Sequence, residues 1–181
     1  MSFGEYSAED GKKLLKLARE SIMEEFTGKK PEKLEGKQFK QARGVFVTLT
    51  KNGELRGCIG FPFPSYPISE AIYQASKSAA FSDTRFKKLD EKELTGIKIE
   101  ISILTMPQDV KDTKEIQIGK DGLICNYLGY SGLLLPQVAT EWKMNRIQFL
   151  EALAGKAGLP KETWQNKNFK IQKFQVQIFH E

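Results

Sequence analysis

Arg56 and Cys58, two positions apart in Leu55-Arg56-Gly57-Cys58-Ile59-Gly60, are the residues whose types and spacing best support chemistry. The thiolate of a cysteine, not the thiol, is the nucleophile. A nearby guanidinium favours the thiolate through Coulomb attraction, while burial disfavours it. Such a pair supports nucleophilic attack or group transfer through a covalent sulfur intermediate. The alternative is plain packing, because free cysteine is among the most buried residue types. Gly57 and Gly60 admit two readings of the same kind: close approach of a ligand, or close approach of another stretch of backbone.

Other catalytic constellations are missing from the sequence. His180 is its one histidine, so a Ser-His-Asp or Cys-His arrangement would have to recruit that residue. There is no Cys-x-x-Cys and no His-x-x-x-His, which leaves a zinc ion almost without ligands. A carboxylate-bound Mg²⁺ needs only one or two acids and stays open. A P-loop is absent, and Gly119-Lys120-Asp121-Gly122 reads as a turn rather than a dinucleotide fingerprint. These residues name no cofactor, and no metal site is assigned.

The element that positions Cys58 is a predicted β-hairpin. The run Gly44–Leu49 and the run Leu55–Gly60 flank Asn52-Gly53, a pair suited to the positive φ angles of a tight type I′ turn. Alternation along the second strand places Arg56 and Cys58 on one face, and Leu55, Ile59 and Phe61 on the other. Before the hairpin, Ser7 caps a helix with Leu14, Leu17, Ala18, Ile22 and Phe26 on one face and Gly28 as its stop. Residues 29–43 read as a polar excursion. After the hairpin, the prolines in Phe61–Pro67 forbid helix and central strand. That loop is either an aromatic-edged wall of a cleft or a rigid connector. A small-residue helix follows, with Ile68, Ala71, Ile72, Ala75 and Ala79 facing inward. Ser82–Phe86 breaks it. Asp83 and Arg85 there either pair with each other or position a ligand.

The remaining pattern is strand-rich. Gly96–Thr105 alternates, its isoleucines inward and Lys98, Glu100 and Ser102 outward. Leu123–Tyr127 and Leu133–Leu135 form a second strand pair around a turn at Gly129–Gly132. Cys125 sits there in an apolar run, as a small hydrophobe. Thr140 or Asn145 caps a last helix with Ile147, Leu150, Leu153 and Ala154 inward and Phe149 nearby, stopped at Gly158 and Pro160. Phe174, Val176 and Ile178 mark a final strand. Paired strands without strict helix alternation predict an α+β fold: a mainly antiparallel sheet covered by about three helices.

Composition bounds the rest. With 181 residues, 40% hydrophobic and 28% charged, the chain is an ordinary globular domain able to bury a core. No apolar run approaches a membrane span, so no membrane partner is expected. Met1–Glu5 lacks the basic-then-apolar pattern of a signal peptide, and the expected address is the cytoplasm. Two cysteines there do not make a disulfide framework. The net charge of +5 comes from scattered lysines, densest over Lys29–Arg43, without a nucleic-acid-binding motif. Any nucleic-acid binding is therefore expected to be weak.

Leu55–Gly60 resembles the signature of the AMMECR family, named for a human chromosomal region linked to Alport syndrome, midface hypoplasia and elliptocytosis. The resemblance continues through Ala79–Phe86, Ile99–Ser102, Gly132–Ala139 and Lys156–Pro160, in order along nearly the whole chain. It implies a single domain over 1–181 with a larger and a smaller lobe, the signature lying near the cleft between them. The lobe boundary is not legible in the sequence. The family's strings supply Asp83, Arg85, Gln137 and Lys156, beside Gly57 and Gly60, as candidate binding residues. Two departures stand out. Thr84 replaces the proline usual between Asp and Arg. Gly155 precedes Lys156, with none of the cysteine that relatives often carry there, so a two-thiol mechanism lacks its second thiol.

The family's biochemical activity is not established. Related domains occur alongside Memo-type and radical SAM proteins, which suggests a modification pathway. Two functions therefore remain: a cysteine-dependent enzyme using Cys58 with Arg56 on an unknown small molecule or protein, or a non-catalytic module binding a protein, less readily a nucleic acid, through the same cleft.

Overall fold

In the computed structural model of the protein, the described residues are 6–181; Met1–Glu5, read above for a targeting signal, lie outside them. The chain divides into two compact units. The first runs to Leu104 and takes up Gln177–Glu181 again, and the second is Thr105–Val176. The strands form two four-stranded sheets, one in each unit, rather than the one sheet expected. The fold is α+β, with four α-helices among the described residues.

The first unit is built on β1 (Val45–Lys51), β2 (Glu54–Phe61), β3 (Ile97–Leu104) and β8 (Val176–His180), in the order β2-β1-β3-β8. Asn52 and Gly53 have φ of 53° and 83°, as a type I′ connection requires. Helix α1 (Ala8–Thr27) starts at a Ser7–Asp10 capping box and stops at Gly28, in the left-handed region at φ 68°. Helix α2 (Ile68–Phe81) packs on β1 and β2, and α1 packs on α2 and β3. Val45, Val47, Leu49, Ile97, Ile99, Ile101 and Ile103 point into this core with Leu14, Ile22, Ile68 and Ile72. Both helices thus cover one face of the sheet, and the alternate strand residues occupy the other. The polar excursion before β1 is pinned at Phe39, which is fully buried.

The second unit holds β4 (Gln108–Asp109), β5 (Gly122–Tyr127), β6 (Tyr130–Leu134) and β7 (Lys170–Phe174), in the order β4-β7-β5-β6. Its helices are α3 (Pro136–Glu141) and α4 (Arg146–Lys156), and its core gathers Leu123, Cys125, Phe149, Leu150, Leu153 and Phe169.

Three expectations are corrected here. The β5–β6 turn is Leu128-Gly129, with Tyr127 paired to Tyr130, so Ser131 and Gly132 are strand residues. Ile147 is exposed, because it falls at the edge of the buried stripe of α4, which is Phe149, Leu150, Leu153 and Ala154. The final strand is two strands in different sheets. Phe174 is buried in the second unit, whereas on β8 Ile178 is exposed and Phe179 packs against the first core. Gln175 lies between the two strands, where the inward phase changes.

Candidate functional site

The hairpin carrying Cys58 contains an irregularity that the sequence pattern does not reveal. Leu49 pairs with Gly57 but Thr50 pairs with Leu55, so Arg56 is an extra residue, a β-bulge. This corrects the face assignment. Gly57, Ile59 and Phe61 lie opposite the buried Leu49, Val47 and Val45, while Leu55 and Cys58 share the face of Thr50 and Thr48. Arg56 leaves the regular alternation altogether.

Arg56 is spent on another partner. Its Nε and Nη2 donate to the two oxygens of Glu93, at 3.1 and 2.9 Å, and Nη2 also reaches the Lys88 carbonyl at 3.4 Å. Lys51 donates to the same carboxylate at 2.9 Å. These hydrogen bonds, with Arg56 first among them, hold the Glu93 carboxyl down at about 2. Arg56 is therefore committed to tying β2 to the Asp90–Leu94 turn.

A different guanidinium reaches Cys58. β2 is an edge strand, and the Cys58 N–H and C=O point away from β1. The N–H donates to Asp83 Oδ2 at 2.9 Å, and the carbonyl accepts from Arg85 Nη2 at 3.2 Å. Arg85 also grips Asp83 through Nε–Oδ1 at 3.0 Å and Nη2–Oδ2 at 2.8 Å. The ion pair thus completes the main-chain bonding of Cys58 as a neighbouring strand would, which also blunts the edge. The Asp83 carboxyl lies far below the usual carboxylate range, chiefly through the Arg85 hydrogen bonds. Its side chain is 4% exposed and that of Arg85 is 55% exposed. Asp83 and Arg85 thus pair with each other, one of the two sequence readings, and together they fix Cys58.

Because its main chain turns outward, Cys58 forms a non-hydrogen-bonded pair with Thr48, the geometry in which cross-strand side chains come closest. Thr48 Oγ1 donates to Cys58 Sγ at 3.3 Å. Thr48 also pairs with Glu100 on β3, so Cys58, Thr48 and Glu100 form one row across three strands. On the same face Phe46 pairs with Gly60 and with Ser102, which is buried rather than facing solvent. His180 lies on β8, three strand spacings or ~14 Å from β2, too far to serve Cys58 as a base.

The glycines are accounted for by the protein itself. A methyl at Gly57 would stand 2.1 Å from the Ala79 carbonyl oxygen, and one at Gly60 would stand 2.2 Å from that of Val45. Both are filled close approaches of backbone, not openings for a ligand. Gln137 on α3 and Lys156 at the end of α4 are exposed residues of the second unit. Cys125 is fully buried there, its thiol 3.7 Å from the Leu153 carbonyl and pushed up by burial. Both cysteines are free. Among the described residues no His, Cys, Asp and Glu grouping could hold a metal ion, and no helix is long and apolar enough to cross a membrane.

Thr48 and Glu93 were not singled out in the sequence, and Glu100 was read only as an outward-facing strand residue. Register counting from Asn52-Gly53 would have found a partner for Thr48, but it returns Gly57, because the bulge adds one residue. Glu93 is legible in the sequence only as the last residue of an Asp90-x-x-Glu93 capping box, which says nothing of Arg56.

Comparison with known proteins bears on the chain as a whole. A protein of Methanothermobacter thermautotrophicus is 42% identical over 190 residues, covering 100% of this chain and 99% of the relative. One of Thermoplasma volcanium is 45% identical over 179 residues, covering 94% of this chain and 89% of the relative. The crystal structure of an uncharacterised protein from Pyrococcus horikoshii superposes with a TM-score of 0.84 at 39% identity, over 97% of this chain and 93% of that one. The AMMECR1 family model matches residues 15–179, and the chain belongs to that family.

Proposed function

We propose that the first unit supports cysteine-dependent chemistry at Cys58, a nucleophilic or transfer reaction in which the sulfur attacks an electrophilic centre of a small molecule or protein. The observation that carries this reading is the Thr48 hydroxyl donating to Cys58 Sγ at 3.3 Å, on a half-buried residue whose main chain is clamped on its other side. A donor aimed at sulfur stabilises the thiolate, the form in which the sulfur is a nucleophile. The clamp fixes the direction of the sulfur without consuming it, which is the positional requirement of a nucleophile. Arg56, expected from the sequence as the activating cation, is replaced in that role by the Thr48 donor and by Arg85. The link to a modification pathway, implied by family resemblance, is compatible with a protein or small-molecule acceptor.

The test is the rate of native alkylation by neutral iodoacetamide at pH 7.5, read by mass spectrometry on the full chain. Cys58 is expected to react readily, and Thr48→Val to slow it severalfold with the fold intact by circular dichroism. If Cys58 resists labelling, or Thr48→Val leaves the rate unchanged, the thiolate reading falls. A binding module that keeps its affinity in Cys58→Ser then inherits the site.

A further inference from the structure

The clamp around Cys58 is polarised, and its polarity specifies a ligand. Asp83 is buried and accepts at both oxygens: Oδ1 from the Arg85 N–H and Nε, Oδ2 from the Cys58 N–H and Arg85 Nη2. Its acceptor capacity is turned entirely inward. Arg85 lies on the outside of the pair, with more than half of its side chain exposed. Its Nε and Nη2 are occupied, its guanidinium carbon sits 5.5 Å from the centre of the Phe86 ring, and Nη1 has no hydrogen-bond partner among the described residues. The free edge of the guanidinium therefore faces solvent immediately beside the Cys58 carbonyl.

The opposite side of the sulfur carries the opposite sign. Glu100, beyond Thr48 in the cross-strand row, has no hydrogen bond or ion pair to its carboxylate among the described residues. Nearby, Arg56 and Lys51 share the single Glu93 carboxylate, and Lys98 is the next residue on the same face of the Glu100 strand. Cys58 thus lies between a half-exposed guanidinium at the β2 edge and an unpaired carboxylate on β3.

We propose that the electrophile attacked by Cys58 carries an oxyanion, a carboxylate or a phosphate, which docks on the free edge of Arg85. The reacting carbon then lies over the sulfur: the Cys58 thiol gives its proton to solvent, the sulfur bonds to that carbon, and the displaced group leaves with the bonding pair, while any cationic or neutral part of the ligand extends towards Glu100. This inference rests on the thiolate reading above and adds to it the charge and orientation of the substrate. Arg85 recognises one end of the substrate while Asp83, saturated from within, holds the guanidinium in place, an arrangement suited to the planar fork of arginine.

The probe is iodoacetate, an anionic electrophile, set against neutral iodoacetamide on the intact chain. In either reaction the Cys58 sulfur forms a bond to the methylene carbon and iodide leaves with the bonding pair. Relative to a small free thiol, Cys58 is expected to show an iodoacetate-to-iodoacetamide rate ratio raised about threefold to fivefold, the scale of an exposed charge interaction. Arg85→Gln should return the ratio to that of the free thiol, and Arg85→Lys should restore part of it. Glu100→Gln should raise it further. Millimolar inorganic phosphate should slow iodoacetate but not iodoacetamide in the wild type, and added salt should flatten the preference. A ratio equal to that of the free thiol, or one indifferent to Arg85→Gln, overturns the anion site while leaving Cys58 a nucleophile. Failure of both reagents overturns the nucleophile itself. Arg85→Gln also loosens the Cys58 main chain, and the iodoacetamide rate reports that separately.

Discussion

The two units offer two cysteines in similar local settings, each on an antiparallel strand of a four-stranded sheet and each free. Cys125 faces the helix-covered side of its sheet, among Leu123, Phe149 and Leu153. Cys58 faces away from the helices of its unit, beside Thr48 and clamped by Asp83 and Arg85. The difference lies in strand face and strand position. β5 is interior, so the backbone around Cys125 is satisfied by β6 and β7. β2 is an edge, so the backbone of Cys58 had to recruit side chains, and those side chains brought charge with them.

The largest expected contrast is kinetic. Native iodoacetamide labelling should modify Cys58 while Cys125 waits for unfolding or local opening, a difference of roughly a thousandfold or more. Comparable rates at the two sites would remove the distinction. Next come the glycines opposite each helix. Gly57→Ala meets the Ala79 carbonyl at 2.1 Å, whereas Gly132→Ala meets the Ala157 nitrogen at 2.9 Å. Overpacking of this kind costs about 1–3 kcal/mol, and we expect Gly57→Ala at or above the top of that range and Gly132→Ala near its bottom, read from urea midpoints. Equal costs would show that α2 yields as easily as α4.

Acid sharpens the comparison further. Glu93 and Asp83 are both depressed in the folded chain, so the unfolded chain binds more protons as pH falls. The stabilisation from Glu93 is complete above its ordinary 4.5 and drains away as pH falls towards about 2. Asp83 gives way lower still. On the order of 2 kcal/mol should be lost from Glu93 across that window, and Glu93→Gln should remove that part of the pH dependence. The smallest effect concerns the sulfurs themselves. Cys125→Ser, placing a hydroxyl in an apolar core, should cost about 1–2 kcal/mol, and Cys58→Ser less than about 0.5 kcal/mol by thermal melting.

Much of this architecture was legible because local rules decide it. Ser7, Gly28, Asn52-Gly53 and the Ile68–Ala79 stripe each act through their own backbone or one helix face, and each element stands where those signals put it. What failed was information carried between segments. The bulge at Arg56 depends on how β2 sits against β1. The division of 170–180 into strands of two sheets depends on partners far away in sequence. The clamp on Cys58 joins residues 25 and 27 positions apart, and only the fold brings them together. Asp83 and Arg85 were recognisable as candidates, but their hold on the Cys58 backbone was not. Arg56 drew attention by proximity in sequence to Cys58, and its guanidinium went to Glu93.

The bulge has a meaning for chain length. Opposite the step from Leu49 to Thr50, the second strand carries one residue more than regular pairing needs. The hairpin can therefore lose a residue there and keep Cys58 opposite Thr48, at the expense of the tie to Glu93. Removing a residue between Cys58 and Phe61 has no such slack to draw on: every position beyond it would turn to the wrong face of the sheet. Insertions and deletions in relatives of this chain should accordingly be tolerated on the turn side of the cysteine and rejected on the proline side.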